Sequence, residues 1–298
     1  MPGTVLELYR GLPSVFARYE TEETRLAIGS PGKIGIAHLG FTRSGEKTYL
    51  SDIFNQMPAR VVRPLYYDPN RPGMPYVIFV NPTGGIVQGD RYEYRFGLEE
   101  GTEAFITDSM ATKVYKMDLN YASRHTDVHL APGSRLEYLP REIIAFAESR
   151  WHQDIAFHVN GNAKIFYSEI FCPGRIARDE FWEFSVFSSK MMIEKDGKPV
   201  LIDNLLFDRE DRQASGTLFG KWLFLLSAYW YSEGLPDIRS RIDLGNVYGG
   251  MSRMPYGSGV VIKALSDNLE ELKTLQLKIW SVFREHETGS GVPELRMY

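Results

Sequence analysis

Carboxylates set inside apolar strands are the residues of this sequence best placed to do chemistry. Asp108 follows Phe105-Ile106-Thr107, Glu137 sits within Leu136-Glu137-Tyr138-Leu139, Glu142 precedes Ile143-Ile144, and Glu169 lies in Tyr167-Ser168-Glu169-Ile170. A carboxylate buried in a β core is costly unless it is paired, hydrogen-bonded or wet. Two readings follow. Strand alternation turns each acid to a solvated face, or the acids line a wet interior passage whose oxygen ligands hold a divalent cation loosely enough to let it move on. A hydrolase would instead need Glu142 and Glu169 to converge in one cleft as an acid/base pair.

The other chemical candidates are weaker. Asn81-Pro82-Thr83-Gly84-Gly85-Ile86-Val87-Gln88-Gly89-Asp90 is a glycine-containing loop after an apolar run. It matches neither phosphate-binding pattern, and Asp90 would repel a phosphate. Gly84, Gly85 and Gly89 therefore read as structural turn residues with access to positive φ. The chain has no G-x-S-x-G elbow and no H-E-x-x-H zinc motif. His125 and His129 are four apart, but Thr126-Asp127-Val128-His129-Leu130 reads as a strand, where that offset separates the residues by ~13 Å. They are expected to be surface polar residues. Cys172, the single cysteine, reads as a small buried hydrophobe.

The elements that must position these residues are mainly strands. Tyr76-Val77-Ile78-Phe79-Val80 is a buried strand, and alternation recurs at 155–159, 166–171 and 181–187. Turn residues punctuate the run: Pro132-Gly133, Asn160-Gly161-Asn162, Pro173-Gly174 and Asp196-Gly197. Their spacing predicts antiparallel hairpins in stacked sheets, a sandwich or a β-helix-like arrangement. Helices are expected near 217–232, where Leu218 to Tyr231 is apolar, and near 266–286. The second is opened by Asp267 or Ser266 as N-cap, with Leu269, Leu272, Leu275, Ile279 and Phe283 on one face. With no sequence repeat, linker or break in composition, residues 1–298 are expected to form a single β-rich domain.

The 298 residues carry a formal net charge of −4, with 43% hydrophobic and 13% aromatic residues. Without a Lys/Arg block, the footprint of a nucleic-acid binder is missing. One cysteine allows no internal disulfide and no CxxC site, which suits a reducing compartment. The first twenty residues carry Glu7 and Arg10 within their apolar stretch and do not read as a signal peptide. The apolar run from Leu218 to Tyr231 holds Lys221 and is too short to span a bilayer. Together these features predict a cytoplasmic protein that does not enter the membrane.

Four motifs, in order, resemble the signature of the urease accessory protein D family, also called H: NPTGGIVQGD (81–90), TDSMATKVYKM (107–117), APGSRLEYLPREIIAF (131–146) and SEIFCPGR (168–175). The likeness continues through Lys195-Asp196-Gly197-Lys198-Pro199, Gly250 to Gly259, Ile279 to Arg284 and Pro293-Glu294-Leu295-Arg296, covering almost the whole chain. The resemblance implies a mostly β protein that is not an enzyme. Such a protein binds the urease apoprotein, reaches the GTPase G through accessory protein F, and leads nickel along a water-filled passage. By motif position, Asp90, Glu142 and Glu169 would serve as transient nickel ligands, with no permanently bound cofactor. A purely structural adaptor that reshapes urease without conducting metal is the alternative. Gln88 and Arg141 depart from the family pattern, where a small residue and Gln are common. The cation at Arg141 would weaken metal passage beside Glu142.

Overall fold

The computed structural model describes residues 11–20, 32–210 and 221–294. The alternating stretches fold into two facing sheets. The first runs, in spatial order, β14 (Lys198–Asp208), β13 (Val186–Lys195), β11 (Arg150–Val159), β8 (Ala122–Leu130), β5 (Arg91–Leu98), β1 (Ile34–Ser44) and β2 (Lys47–Gln56). The second runs β16 (Tyr248–Arg253), β17 (Gly259–Ser266), β15 (Phe224–Tyr231), β12 (Lys164–Cys172), β9 (Arg135–Leu139), β6 (Glu103–Asp108), β4 (Tyr76–Val80) and β3 (Arg60–Val61). Short β10 (Ile143–Ala145) pairs with β12 and with β7 (Thr112–Val114). The helix α1 (Leu269–Thr288) packs on the outer side of the second sheet against β12, β15 and β17.

The mainly β, stacked-sheet expectation holds, but the strand direction differs from the hairpins read in the sequence. From β4 to β13 the chain passes alternately from one sheet to the other. β5, β8, β11 and β13 are parallel neighbours in the first sheet, and β4, β6, β9 and β12 are parallel neighbours in the second. This is a coil, solenoid-like in form, in which facing residues on successive turns lie 29 and 36 positions apart. Pro132-Gly133, Asn160-Gly161-Asn162 and Pro173-Gly174 are corners that carry the chain across to the other sheet. A turn signal marks where a strand stops; it does not say which sheet takes the next one. Asp196-Gly197 alone of the four signals closes a hairpin, β13 to β14. Its φ values of 47° and 78° suit the primed turn that matches strand twist.

The helix expected near 217–232 is corrected. Residues 217–220 lie outside the described residues, and Phe224–Tyr231 is strand β15 with every residue buried. Leu225, Tyr229 and Tyr231 join the core between the sheets, whereas Phe224, Leu226, Ala228 and Trp230 join the core under α1. A strand covered on both faces reads as an unbroken apolar run, which periodicity cannot tell from a buried helix.

The C-terminal helix forms as its spacing predicts, burying Leu272, Leu275, Ile279, Trp280 and Phe283. Its N-cap is Asn268, not Asp267 or Ser266: Asn268 Oδ1 accepts from the Glu270 N–H at 3.0 Å, and Ser266 Oγ accepts from the Asn268 N–H. Gly289, with φ 67°, ends it in the left-handed conformation. Arg284 interrupts the apolar face and is fully buried. Its guanidinium reaches Asp68 Oδ2 at 2.5 Å, Tyr76 Oη at 3.3 Å and Glu137 Oε1 at 3.5 Å, while Trp280 Nε1 donates to Glu137 Oε2 at 2.7 Å. Burial raises the Glu137 carboxyl above its ordinary range, with Arg284 pulling the other way. Arg284→Leu leaves two buried acids short of their countercharge. It is expected to cost about 3–5 kcal/mol, read as a lowered urea midpoint with an unchanged slope.

Candidate functional site

Alternation along the parallel strands decides which side chains meet between the sheets. On β8 the inward set is Ala122, Arg124, Thr126, Val128 and Leu130; on β11 it is Trp151, Gln153, Ile155, Phe157 and Val159. Most of these positions are apolar, but one rung is not. The ladder register aligns Tyr92, Arg124, Gln153 and Ser189 across β5, β8, β11 and β13. Opposite, on the second sheet, Glu169, Ser227 and Lys263 share a rung across β12, β15 and β17. Two polar rungs therefore cross an otherwise apolar core.

Hydrogen bonds join them. Arg124 Nη2 donates to Gln153 Oε1 at 2.7 Å, and Gln153 Nε2 donates to Glu169 Oε2 at 2.5 Å and to Ser189 Oγ at 2.9 Å. Ser189 Oγ donates to Glu169 Oε1 at 3.0 Å, and Tyr167 Oη donates to Glu169 Oε2 at 2.7 Å. Asp108, at the end of β6, lies in the field of Arg124 and is buried. Its Oδ2, together with Tyr138 Oη and Thr126 Oγ1, has no hydrogen-bond partner among the described residues. Such atoms call for water or an ion. At the far edge Lys263 Nζ meets Asp203 Oδ2 at 2.5 Å and donates to Ser227 Oγ and Tyr229 Oη, each at 3.0 Å. Lys263 and Asp203 are partly exposed, so the polar layer reaches the surface there.

The other end opens beneath the glycine loop. A cavity of about 40 Å³ is lined by Asn81, Gly84, Gly85, Tyr94, Asp108 and Arg124. That volume admits water. At Gly85 a Cβ would stand 2.3 Å from Tyr115 Cε2 and 2.9 Å from Lys113 O, so the loop can lie this close to the 113–115 segment only with glycine there. Gly84 and Gly89 both have φ 75°. Asp90 does not face this space. Its Oδ1 accepts from the Lys33 N–H at 3.0 Å and its Oδ2 from the Val87 N–H at 3.1 Å, so the carboxylate staples the loop. Gln88 serves the same loop, its Oε1 accepting from the Asp118 and Leu119 N–H groups.

Glu142 lines a separate cavity of about 620 Å³ between α1 and the second sheet, together with Thr107, Leu139, Ile170 and Lys273. Lys273 Nζ lies 3.0 Å from one carboxylate oxygen and Arg141 Nε 3.6 Å from the other. Ile170 faces this cavity while its neighbour Glu169 faces the space between the sheets, so Glu142 and Glu169 do not form an acid/base pair. Glu137 belongs to the anchor of α1. Cys172 is buried on the same side, and burial pushes its thiol well above the ordinary range. His125 and His129 lie on β8 with their side chains on the outer face, where they are partly exposed.

Of the residues singled out in the sequence, Asp108 and Glu169 lie at opposite ends of the Arg124–Gln153 chain, and Asp90, Glu137 and Glu142 lie outside it. Arg124, Gln153, Ser189 and Lys263 were missed. Each had a signal, a polar residue standing where alternation asks for an apolar one, but only strand register shows that these positions coincide.

The sequence model of a family described as UreD urease accessory protein matches residues 33–298. Urease accessory protein UreD 2 of Brucella suis biovar 1 (strain 1330) is 31% identical over 291 residues, covering 93% of this chain and 96% of the relative. Urease accessory protein UreD of Yersinia pseudotuberculosis serotype O:1b (strain IP 31758) is 29% identical over 289 residues, covering 93% and 90%. That of Cenarchaeum symbiosum (strain A) is 28% identical over 284 residues, covering 91% and 99%.

Burial holds the Asp108 carboxyl above its ordinary range, against the pull of Arg124. The folded chain thus binds this proton more tightly than the unfolded chain does. The group favours folding below the ordinary carboxylate range, about pH 4, and that contribution is lost as pH rises through the raised value. Asp108→Asn is therefore expected to raise the urea midpoint at pH 7, with the gain shrinking toward pH 4. A lower midpoint at pH 7 would mean that pairing with Arg124 outweighs burial.

Proposed function

The chain belongs to the UreD urease accessory protein family, and on that premise we propose that it guides nickel through its interior into the urease apoprotein. Membership places it in urease maturation. Its partners in this reading are the apoprotein, accessory protein F and, through F, the GTPase G, and its compartment is the cytosol. No helix among the described residues is long and apolar enough to cross a membrane.

The observation that carries the reading is the polar layer between the sheets. Ordering Asp108, Arg124, Gln153, Ser189 and Glu169 in an apolar core costs desolvation that plain hydrophobic residues would avoid. A fold that retains such a layer, with a small cavity at one end and a partly exposed ion pair at the other, has the form of a path for a cation. The donors along it are carboxylate, hydroxyl and amide oxygens. Nickel held by imidazole and thiolate is held tightly, whereas scattered oxygens and water release it. Transfer needs binding strong enough to admit the ion and weak enough to pass it on. Arg124 contributes to that weakness by offsetting the charge of Asp108 and Glu169.

In this mechanism Asp108 receives the ion beneath the glycine loop and Glu169 holds it midway, where its three hydrogen-bond donors compete with the metal and limit affinity. Asp90 acts indirectly, by holding the loop that shapes the mouth. Glu142 supplies an oxygen site in the cavity under α1, where Lys273 and the added guanidinium of Arg141 lower its attraction for a cation.

Glu169→Gln and Asp108→Asn are expected to lower urease activation on the order of tenfold relative to Lys278→Ala at the exposed side of α1. All three variants are expected still to co-purify with the apoprotein and proteins F and G. Equal activation by all three, with assembly intact, would replace conduction by a purely structural role.

A further inference from the structure

The outward face of the first sheet gathers His38, His125, His129, His152 and His158 on three of its strands, opposite in direction to the interior path. One group stands apart from the rest. His129 on β8 and His158 on β11 are direct partners in the parallel register, and Asp127 lies two residues before His129 on the same face. Asp127 Oδ2 is 3.0 Å from His129 Nε2, and Asp127 Oδ1 is 2.9 Å from His158 Nε2. The two imidazoles stack, with centroids 4.6 Å apart and planes 15° apart. The potential ligand atoms of all three residues lie within 4.8 Å of one another.

Three further features distinguish this group from an ordinary surface ion pair. First, His158 Nδ1 lies 3.2 Å from Glu194 Oε1 on β13. A carboxylate on the second ring nitrogen fixes the tautomer that offers Nε2 as a ligand, the arrangement typical of metal-bound histidine. Second, on the other side of His129 the register places Gly97 of β5, so no side chain covers the rung. His129 borders an open depression of about 410 Å³ whose lining includes Gly40, Asp52, Gly97 and Glu99. Third, His129 is 60% exposed and the other two ligands about a quarter exposed, so an ion reaches them without any opening of the fold.

We propose that Asp127, His129 and His158 form a surface site for a first-row divalent metal ion of the nickel and zinc class, with Glu194 positioning His158. Two imidazoles and one carboxylate suit those ions and disfavour magnesium and calcium, which take oxygen ligands. Water from the depression completes the coordination shell. Binding displaces the hydrogen bonds between the imidazoles and Asp127, and closing the ligands on the ion needs only side-chain rotation on neighbouring strands. The site is separate from the interior path and does not depend on it: sheet backbone lies between His158 and Gln153.

The test is equilibrium dialysis of the purified full chain with nickel chloride and, separately, zinc chloride, followed by X-ray absorption of the loaded protein. Wild type is expected to bind one equivalent with imidazole in the coordination shell, unaffected by excess magnesium. The His129→Ala/His158→Ala double variant is expected to lose that equivalent, and the isosteric Asp127→Asn and Glu194→Gln to weaken it by about tenfold or more. His125→Ala and Glu169→Gln are expected to leave it unchanged, so failure of the interior path and failure of this site give different results. Retention of the equivalent in the double variant overturns the proposal, as does the absence of imidazole from the shell. Should the double variant not fold, as judged by circular dichroism, unchanged binding by Asp127→Asn and Glu194→Gln overturns it equally.

Discussion

Charge buried in a β core must be answered by other buried polar groups, and the architecture of this chain depends on how it meets that requirement. Two buried arginines do so in different ways. Arg284 binds Asp68, Tyr76 and Glu137 and thereby locks α1 to the second sheet. Arg124 instead begins a chain of polar groups that runs through Gln153 to Glu169 and Ser189, between the sheets. The first cluster ties α1 to the second sheet through direct contacts between charged groups; the second borders a small cavity beneath the glycine loop. The first is an anchor for α1; the second is the layer on which the proposed ion route rests.

The coil makes that polar layer possible. In a parallel ladder, residues on successive turns stand side by side, so one polar residue per strand at a matching height builds a continuous layer without disturbing its apolar neighbours. Phe157, Tyr138 and Tyr167 pack on one side of the layer, with ring centroids 5.5 Å apart for Tyr138 with Tyr167 and for Phe157 with Tyr167, and Phe171 and Phe187 pack on the other, with centroids 4.0 Å apart. The same register acts on the outer face, where it sets His129 beside His158 and leaves Gly97 next to them. The inner polar layer and the outer cluster are thus two consequences of one ladder.

The glycine loop shows how a motif can keep its importance while its acid changes role. By motif position Asp90 was the natural ligand. In the structure both of its oxygens accept backbone N–H groups, which leaves it as the staple that shapes the mouth. Asp108, less conspicuous in the sequence, faces the cavity beneath this loop. Local hydrogen bonding by Asp in a turn is favourable whatever lies nearby, so a carboxylate at the end of a tight loop is readily absorbed by that loop.

The sequence by itself determined the mainly β class, the C-terminal helix, the Asp196-Gly197 hairpin, the glycine turn and, through co-linear motifs, the family. It also marked Asp108 and Glu169 as acids in apolar surroundings. These are properties of single residues and of short-range periodicity, which a linear reading can hold. Tertiary structure alone decided that the strands run parallel as a coil, that Phe224–Tyr231 is a strand, that Glu137 and Glu142 stand apart from Glu169, and that Arg124, Gln153 and Ser189 share one rung. Those facts depend on register between strands about thirty residues apart. Alternation fixes only which side chains share a face; it takes the pairing of distant strands to fix which of them touch.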